Sequence, residues 1–464
     1  MLIRIARLLA MLLVTLIVVW ALVLGWWQAN DHSPSPTESL LYLVALPLAL
    51  VGGFMLLTGF IDGLRQPPAP VATASTSAPD TGAPLEVTDA AERRHRAHLL
   101  ASAMAVPAGS DAAALIAAAQ AGAAPKPDAE LKDADGFPAF TARVATVDVD
   151  AFRESLDALE AAAHWPEARM RSLALVDAAL CDLLPALKEQ LEARPCPGIT
   201  LRLDWLLDGE LPDSLRQALS RWITDTHLHA LEPLAVTLAL HPLADEAAAL
   251  QLTDARIQAM AKAVEPCVSI ILAGSSNLDA TRIARWQADG RLFTPQRQQG
   301  QIPGEGAAAL ALVTPETGDH LALDAPISLS RLSLGQRDKS ADAGGRITPA
   351  LCNHLADGLL QALETPAATV AALVSDSDHR ASRQAEALGM LDERFETLDP
   401  ARDYLAVGTI GGSATPVGAL IGLLCAAEQA REKQAPVLAL SVQHPTMRAV
   451  ALLMPPPAPE ESTT

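Results

Sequence analysis

Five short apolar runs constrain this chain more than any other feature: residues 268–273 (VSIILA), 307–313 (AAALALV), 369–374 (TVAALV), 404–408 (YLAVG) and 437–442 (VLALSV). Most are near-continuous rather than alternating, the pattern of strands covered on both faces. Between and before them, residues 150–163, 170–192, 215–224, 254–264, 349–363 and 417–434 carry apolar positions at a ~3.6-residue period, dominated by Ala and Leu. Strands covered on both sides and separated by helices imply an α/β layered fold. Residues 89–454 exceed the ~250–300 at which a single core stops growing, so two lobes or an internal duplication are expected.

The N-terminus reads differently. Residues 8–27 form an uncharged run of 20 (LLAMLLVTLIVVWALVLGWW), which at ~1.5 Å per residue matches the ~30 Å hydrocarbon core of a bilayer. A signal peptide should be shorter and end at small residues, whereas this run ends on Trp26 and Trp27, as an interfacial belt would. A second run, 40–60, contains Pro47, Gly52 and Gly53, which membrane helices tolerate. Arg4 and Arg7 precede the first run and Arg65, Arg93, Arg94 and Arg96 follow the second, while the loop between has no Lys or Arg. By the positive-inside rule, residues 1–65 are expected to form a two-helix hairpin with both termini cytoplasmic, at a bacterial-type inner membrane. Residues 66–88, rich in Pro, Ala, Ser and Thr, read as a tether, and 455–464 as a disordered tail.

Composition narrows the partners. With 34 Lys and Arg against 54 Asp and Glu, the net charge of −20 opposes phosphate backbones, so nucleic acid is not an expected partner. The five cysteines are scattered, odd in number and without CxxC spacing, which excludes a disulfide framework and suits a reducing compartment. The basic run Arg93–Arg96 is suited equally to anionic lipid and to a solvated helix face.

Residues 290–313 (GRLFTPQRQQGQIPGEGAAALALV) combine a loop containing Phe293, Arg297 and Gly300 with Gly304-Glu305-Gly306-Ala307 and a buried strand. This segment resembles the Pro-Phe-Asp, Arg-Asp-Gly, Gly-Glu-Gly-Ala run of the β-ketoacyl synthases of the thiolase-like fold. Segments 133–148, 169–184, 268–277 and 407–425, the last with Gly411 and Gly412 in a turn feeding a helix, fall where that family would have them. The resemblance covers about four-fifths of the chain, mostly in order and spacing. It implies a layered αβαβα duplication, with Gly304, Glu305, Gly306, Gly411 and Gly412 as structural motif residues and Glu305 held by backbone donors. It also implies pairing, as a homodimer or with an active synthase or acyl carrier protein.

The resemblance also implies a nucleophilic Cys at a helix start and two His, and none is found where expected. The Cys position falls near 247–249, all Ala; Cys267 is the closest thiol. The first His position falls on Ser375 or Asp376, with His379 offset by three or four residues, and the second falls in the Gly411-Gly412 turn. Acyl transfer onto the protein needs a thiolate of lowered pKa and an oxyanion donor, so a catalytically inactive, membrane-anchored binding scaffold or partner subunit is expected. Two alternatives are an adaptor of a cell-envelope or secretion assembly and an acyltransferase or hydrolase rebuilt from Ser375, Asp376, Ser377 and His379. Neighbouring side chains in an extended segment diverge, which argues against the last. Ser275 and Ser276 lack a Gly-x-Ser-x-Gly elbow, and the turn at 408–412 lacks phosphate-loop spacing. Asp225, His227 and His229 would share a face if extended, but the same residues read as a helix end, so no metal and no cofactor is expected.

Overall fold

The computed structural model describes residues 83–84, 90–156, 165–343 and 345–456, with Trp20 and Trp26. The chain divides into two compact units, Met1–Ser75 and Thr76–Thr464. In the first, Trp20 and Trp26 have helical backbone and are exposed. The expected spans at 8–27 and 40–60 otherwise lie outside the described residues. Among those described, no helix is long and apolar enough to cross a membrane.

The second unit is built on a twelve-stranded mixed sheet whose two halves repeat one plan. The first half comprises β2 (Arg96–Ala105), β5 (Thr200–Leu207), β6 (Ala235–His241), β7 (Cys267–Ser276) and β8 (Glu305–Val313), in the order β6-β5-β7-β8-β2. β5 runs parallel to β6 and β7, and β8 is antiparallel to both β7 and β2. The second half comprises β9 (Ser328–Ser330), β10 (Ser333–Gln336), β11 (Ala372–Ser375), β12 (Tyr404–Ala406), β13 (Val437–Ser441) and β14 (Met447–Met454). Its order is β12-β11-β13-β14 followed by β9 and β10, with β11 parallel to β12 and β13, and β14 antiparallel to β13, β9 and β10. Strand for strand, the order and the directions are those of the first half. The three-residue β9 joins the halves by pairing with both β2 and β14. The remaining strands are marginal: β1 (Ala83–Pro84) pairs β10, and β3 (Lys126–Lys132) and β4 (Pro138–Thr141) form a separate hairpin.

Helices cover both faces of each half. Along β7, Ile271 and Ala273 join one core cluster while Val268, Ile270 and Leu272 join another, so the period of two sends alternate residues to two buried faces. The central cluster holds α1 (Ala112–Gln120), α5 (Glu246–Lys262) and α9 (Val417–Lys433) against Ile271 and Leu310 of one half and Val374 and Ala439 of the other. Outside the first half lie α2 (Val149–Ser155), α3 (Glu167–Ala193) and α4 (Asp213–Thr226). Outside the second lie α7 (Ala350–Ala362) and α8 (Ala381–Arg394). A further helix, α6 (Ala280–Ala288), packs beside β3 through Ile283 and Trp286. The result is helix, sheet, helix, sheet, helix, the duplicated layering expected.

Several boundaries are corrected. α5 begins at Glu246, eight residues before the periodic stretch that starts at 254. There Asp245 accepts a hydrogen bond from the Ala248 N–H at 2.8 Å, capping the helix ahead of its clearest stripe. Residues 367–369 form a 3₁₀ turn instead of the start of β11, and 408–411 turn helical after β12. β2, β5, β6 and β14 are strands that Ala, Leu and polar residues concealed; sheet neighbours, on both edges of β2, β5 and β14 and on one edge of β6, override those weak propensities.

Candidate functional site

Three segments converge where the halves meet: the start of α5, the residues after β11, and the glycine turn before α9. Glu246, Asp376, Gly411, Gly412, Ser413 and Gln443 line one cavity of about 20 Å³ there. That is room for about one water. No cysteine or histidine lines it.

Glu246 occupies the first position of α5, one residue before the alanines at 247–249. Its side chain is buried and accepts a hydrogen bond from Thr415 Oγ1 at 2.5 Å. Burial pushes its carboxyl above the ordinary range, and the neighbouring Asp245 charge adds to the rise. Asp376 follows β11 and is also buried. It accepts from Ser441 Oγ at 2.5 Å, from the Val442 N–H at 2.8 Å and from the Gln443 N–H at 3.2 Å. Burial raises this carboxyl to about 6, against the bonds donated by Ser441 and Val442, and the Glu246 charge contributes to the rise. Two buried carboxyls, the charge of Glu246 opposing the ionisation of Asp376, therefore share this cavity.

In the glycine turn, the side chain after Gly411-Gly412 is that of Ser413. Its backbone is pinned: Ser413 N–H donates to Ile302 at 2.8 Å, and its carbonyl accepts from Gly304 N–H at 3.1 Å and from Asn277 Nδ2 at 2.7 Å. The two glycine motifs thus pack directly on each other. A Cβ on Gly304 would stand 2.1 Å from the Gly411 carbonyl oxygen, and Gly412 adopts φ +60°.

Glu305 is held as a buried carboxylate, chiefly by Arg171, whose Nε and Nη2 donate at 2.7 and 2.6 Å. One backbone donor, Val144 N–H at 2.9 Å, and Ser276 Oγ at 2.8 Å complete the set, so a side chain of α3 supplies most of what backbone donors were expected to supply. Ser276 is accounted for by this role. Gly306 allows the close approach of β2, with Ala105 O 3.2 Å from the position of its absent Cβ.

The weaker site residues do not meet as a catalytic set. Ser375 Oγ accepts from Ser377 N–H at 3.1 Å, Ser377 Oγ bonds Tyr404 OH at 2.6 Å, and Asp376 faces Ser441. His379 stacks edge-on against Phe293 at 5.1 Å, and its Nε2 has no hydrogen-bond partner. Asp225 and the buried His227 lie at the end of α4, with His229 in the 3₁₀ turn Leu228–Leu231, so no strand face unites them. Cys352 and Cys425 are buried, and burial pushes the Cys425 thiol up to about 12, far from a reactive thiolate.

Residues that sequence reasoning missed are Glu246, Thr415, Ser441, Gln443 and His444. His444 Nδ1 accepts from the Thr446 and Met447 N–H groups, and its Nε2 stands 3.5 Å from Asp245. The one local signal was the acidic pair Asp245-Glu246 ahead of an Ala-rich helix.

No protein-family profile matches this chain, and no curated protein does. Solved structures do match. The ishigamide ketosynthase/chain length factor is 17% identical over 78% of this chain and 99% of that one, with a TM-score of 0.52. A type II PKS acyl-carrier protein in complex with its ketosynthase bound to the hexaketide is 12% identical, over 78% of this chain and 99% of that one, with a TM-score of 0.54. At such identities the likeness speaks to the fold. Joined to the repeated strand order and the five layers, it means that this chain has the thiolase-like fold of the ketosynthases.

Proposed function

We propose that this protein is a non-condensing ketosynthase-fold subunit that works by binding, held at the inner membrane by the apolar runs at 8–27 and 40–60. The observation that carries this reading is the buried Glu246–Asp376 pair in a cavity of about 20 Å³. Burial raises both carboxyls and so disfavours the ionised form that could attack a thioester, and pockets that enclose organic ligands are typically ~300–1,000 Å³. The partner is a protein: an active synthase, an acyl carrier protein or a second copy. Matched structures that pair a ketosynthase with a chain length factor or a carrier protein support this. The anchoring rests on the length of the two runs and on the distribution of Arg around them.

The test incubates the purified full-length protein with an acyl-carrier protein charged as a thioester. Intact mass is expected to show no acyl adduct, and the thioester to persist at the rate of a buffer control, while pull-down from native membranes recovers a ketosynthase-type or carrier partner. A covalent adduct on any residue, or turnover lost in His379→Ala, would overturn the binding reading. Recovery of transport components instead would favour the adaptor alternative.

A further inference from the structure

Away from the central cavity, α3 and the end of α4 bring three metal-ligating side chains together. Asp177 and Cys181 are four residues apart on α3 and so share a face; His227 caps the end of α4. One ligand atom from each lies within 4.8 Å of the other two. We propose that Asp177, Cys181 and His227 bind one divalent transition-metal ion of the zinc class, fastening α4 to α3.

The imidazole is what points to a ligand. His227 is only 6% exposed, and its Nε2 is buried without a hydrogen bond. Asp177 Oδ1 is 3.0 Å away but off the N–H axis, so the two approach without bonding well. A buried ring nitrogen left in this way is unfavourable, and an ion between it and the carboxylate would satisfy both. Trp222 packs edge-on against the ring at 5.4 Å and holds its orientation.

The donor chemistry selects the metal. Sulfur, imidazole and carboxylate together suit zinc or cobalt and not calcium or magnesium, which prefer oxygen alone. With bonds of ~2.0–2.3 Å, tetrahedral ligands stand about 3.3–3.8 Å apart, so an ion would draw together ligand atoms that now lie within 4.8 Å of one another. Cys181 is exposed, which gives the ion a path in and leaves the fourth position to water. Without metal, burial and the nearby Asp177 and Asp182 push the thiol up; on binding, the thiol proton passes to solvent and the thiolate bonds the ion. His227 thus has its partners on the preceding long helix, and Asp225 and His229 take no part.

The full-length protein, stripped with a chelator, is titrated with Co²⁺ and then with Zn²⁺ in competition. One equivalent is expected to bind with thiolate-to-cobalt absorption and to be displaced by Zn²⁺. Cys181→Ser and Asp177→Asn are each expected to weaken binding at least ~10-fold, while Cys196→Ser and Cys267→Ser leave it unchanged. Should the variants misfold, Zn²⁺ must still slow alkylation of Cys181 in the unaltered protein, read by peptide mass. Absence of a stoichiometric site, equal binding by a folded Cys181→Ser variant, or alkylation of Cys181 indifferent to Zn²⁺ would overturn the proposal.

Discussion

Asp376 is the residue whose surroundings say most about the site. Its carboxyl is fully enclosed and rises from 3.8 to about 6 because burial disfavours its charge. An acid raised in this way keeps its proton longer in the native state than in the unfolded one. Its contribution is therefore most favourable below pH 3.8 and is lost as pH climbs through 6. Asp376→Asn retains an oxygen to accept from the Val442 and Gln443 N–H groups and removes the ionisation. Relative to the unaltered protein, the variant is expected to gain roughly 2–3 kcal/mol of stability between pH 4 and pH 7. Urea unfolding of both proteins at the two pH values measures this, and a difference independent of pH would refute it. From sequence the residue was legible as one of two candidates for the position that the resemblance gives to an imidazole, and as a member of a rebuilt Ser/Asp/His set. That it shares a cavity with Glu246, 130 positions earlier in the chain, depends on packing between the halves.

Among the elements, the two glycine turns illustrate how far local reading extends. Their spacing ahead of a strand and a helix marked both as tight turns, and both are; that they touch is a long-range fact. Gly304→Ala would drive a methyl group onto the Gly411 carbonyl, which belongs to backbone that is itself hydrogen-bonded and cannot yield cheaply. A loss of about 2–3 kcal/mol is expected. Gly411→Ala meets no atom within 4 Å and is expected to be neutral or slightly stabilising, as Ala is for Gly in a helical turn. Chemical denaturation of the pair checks the contrast, and equal losses would contradict it. The start of α5 was obscured for the complementary reason: its first two turns, Glu246–Thr253, face the central helices and α9, so they show no simple stripe.

At the scale of the molecule, the repeated strand order makes each half cover one face of the shared helical layer. Neither half encloses its core without the other. The division at Ser75 and Thr76 separates this body from the N-terminal unit. If the apolar runs alone hold the protein to the bilayer, residues 76–464 expressed without them are expected in the soluble fraction, folded, while the full chain sediments with membranes and resists carbonate. A folded 76–464 fragment that stays with the membrane would refute that. The α/β class, the covered strands and the two glycine turns follow from periodicity and residue type, because burial pattern and backbone freedom are local properties. The concealed strands β2, β5, β6 and β14, the acid pair, the Arg171 clasp on Glu305 and the cluster around His227 do not. Each joins positions distant in the chain, and what brings them within bonding distance is the stacking of layers, to which no short stretch of residues commits.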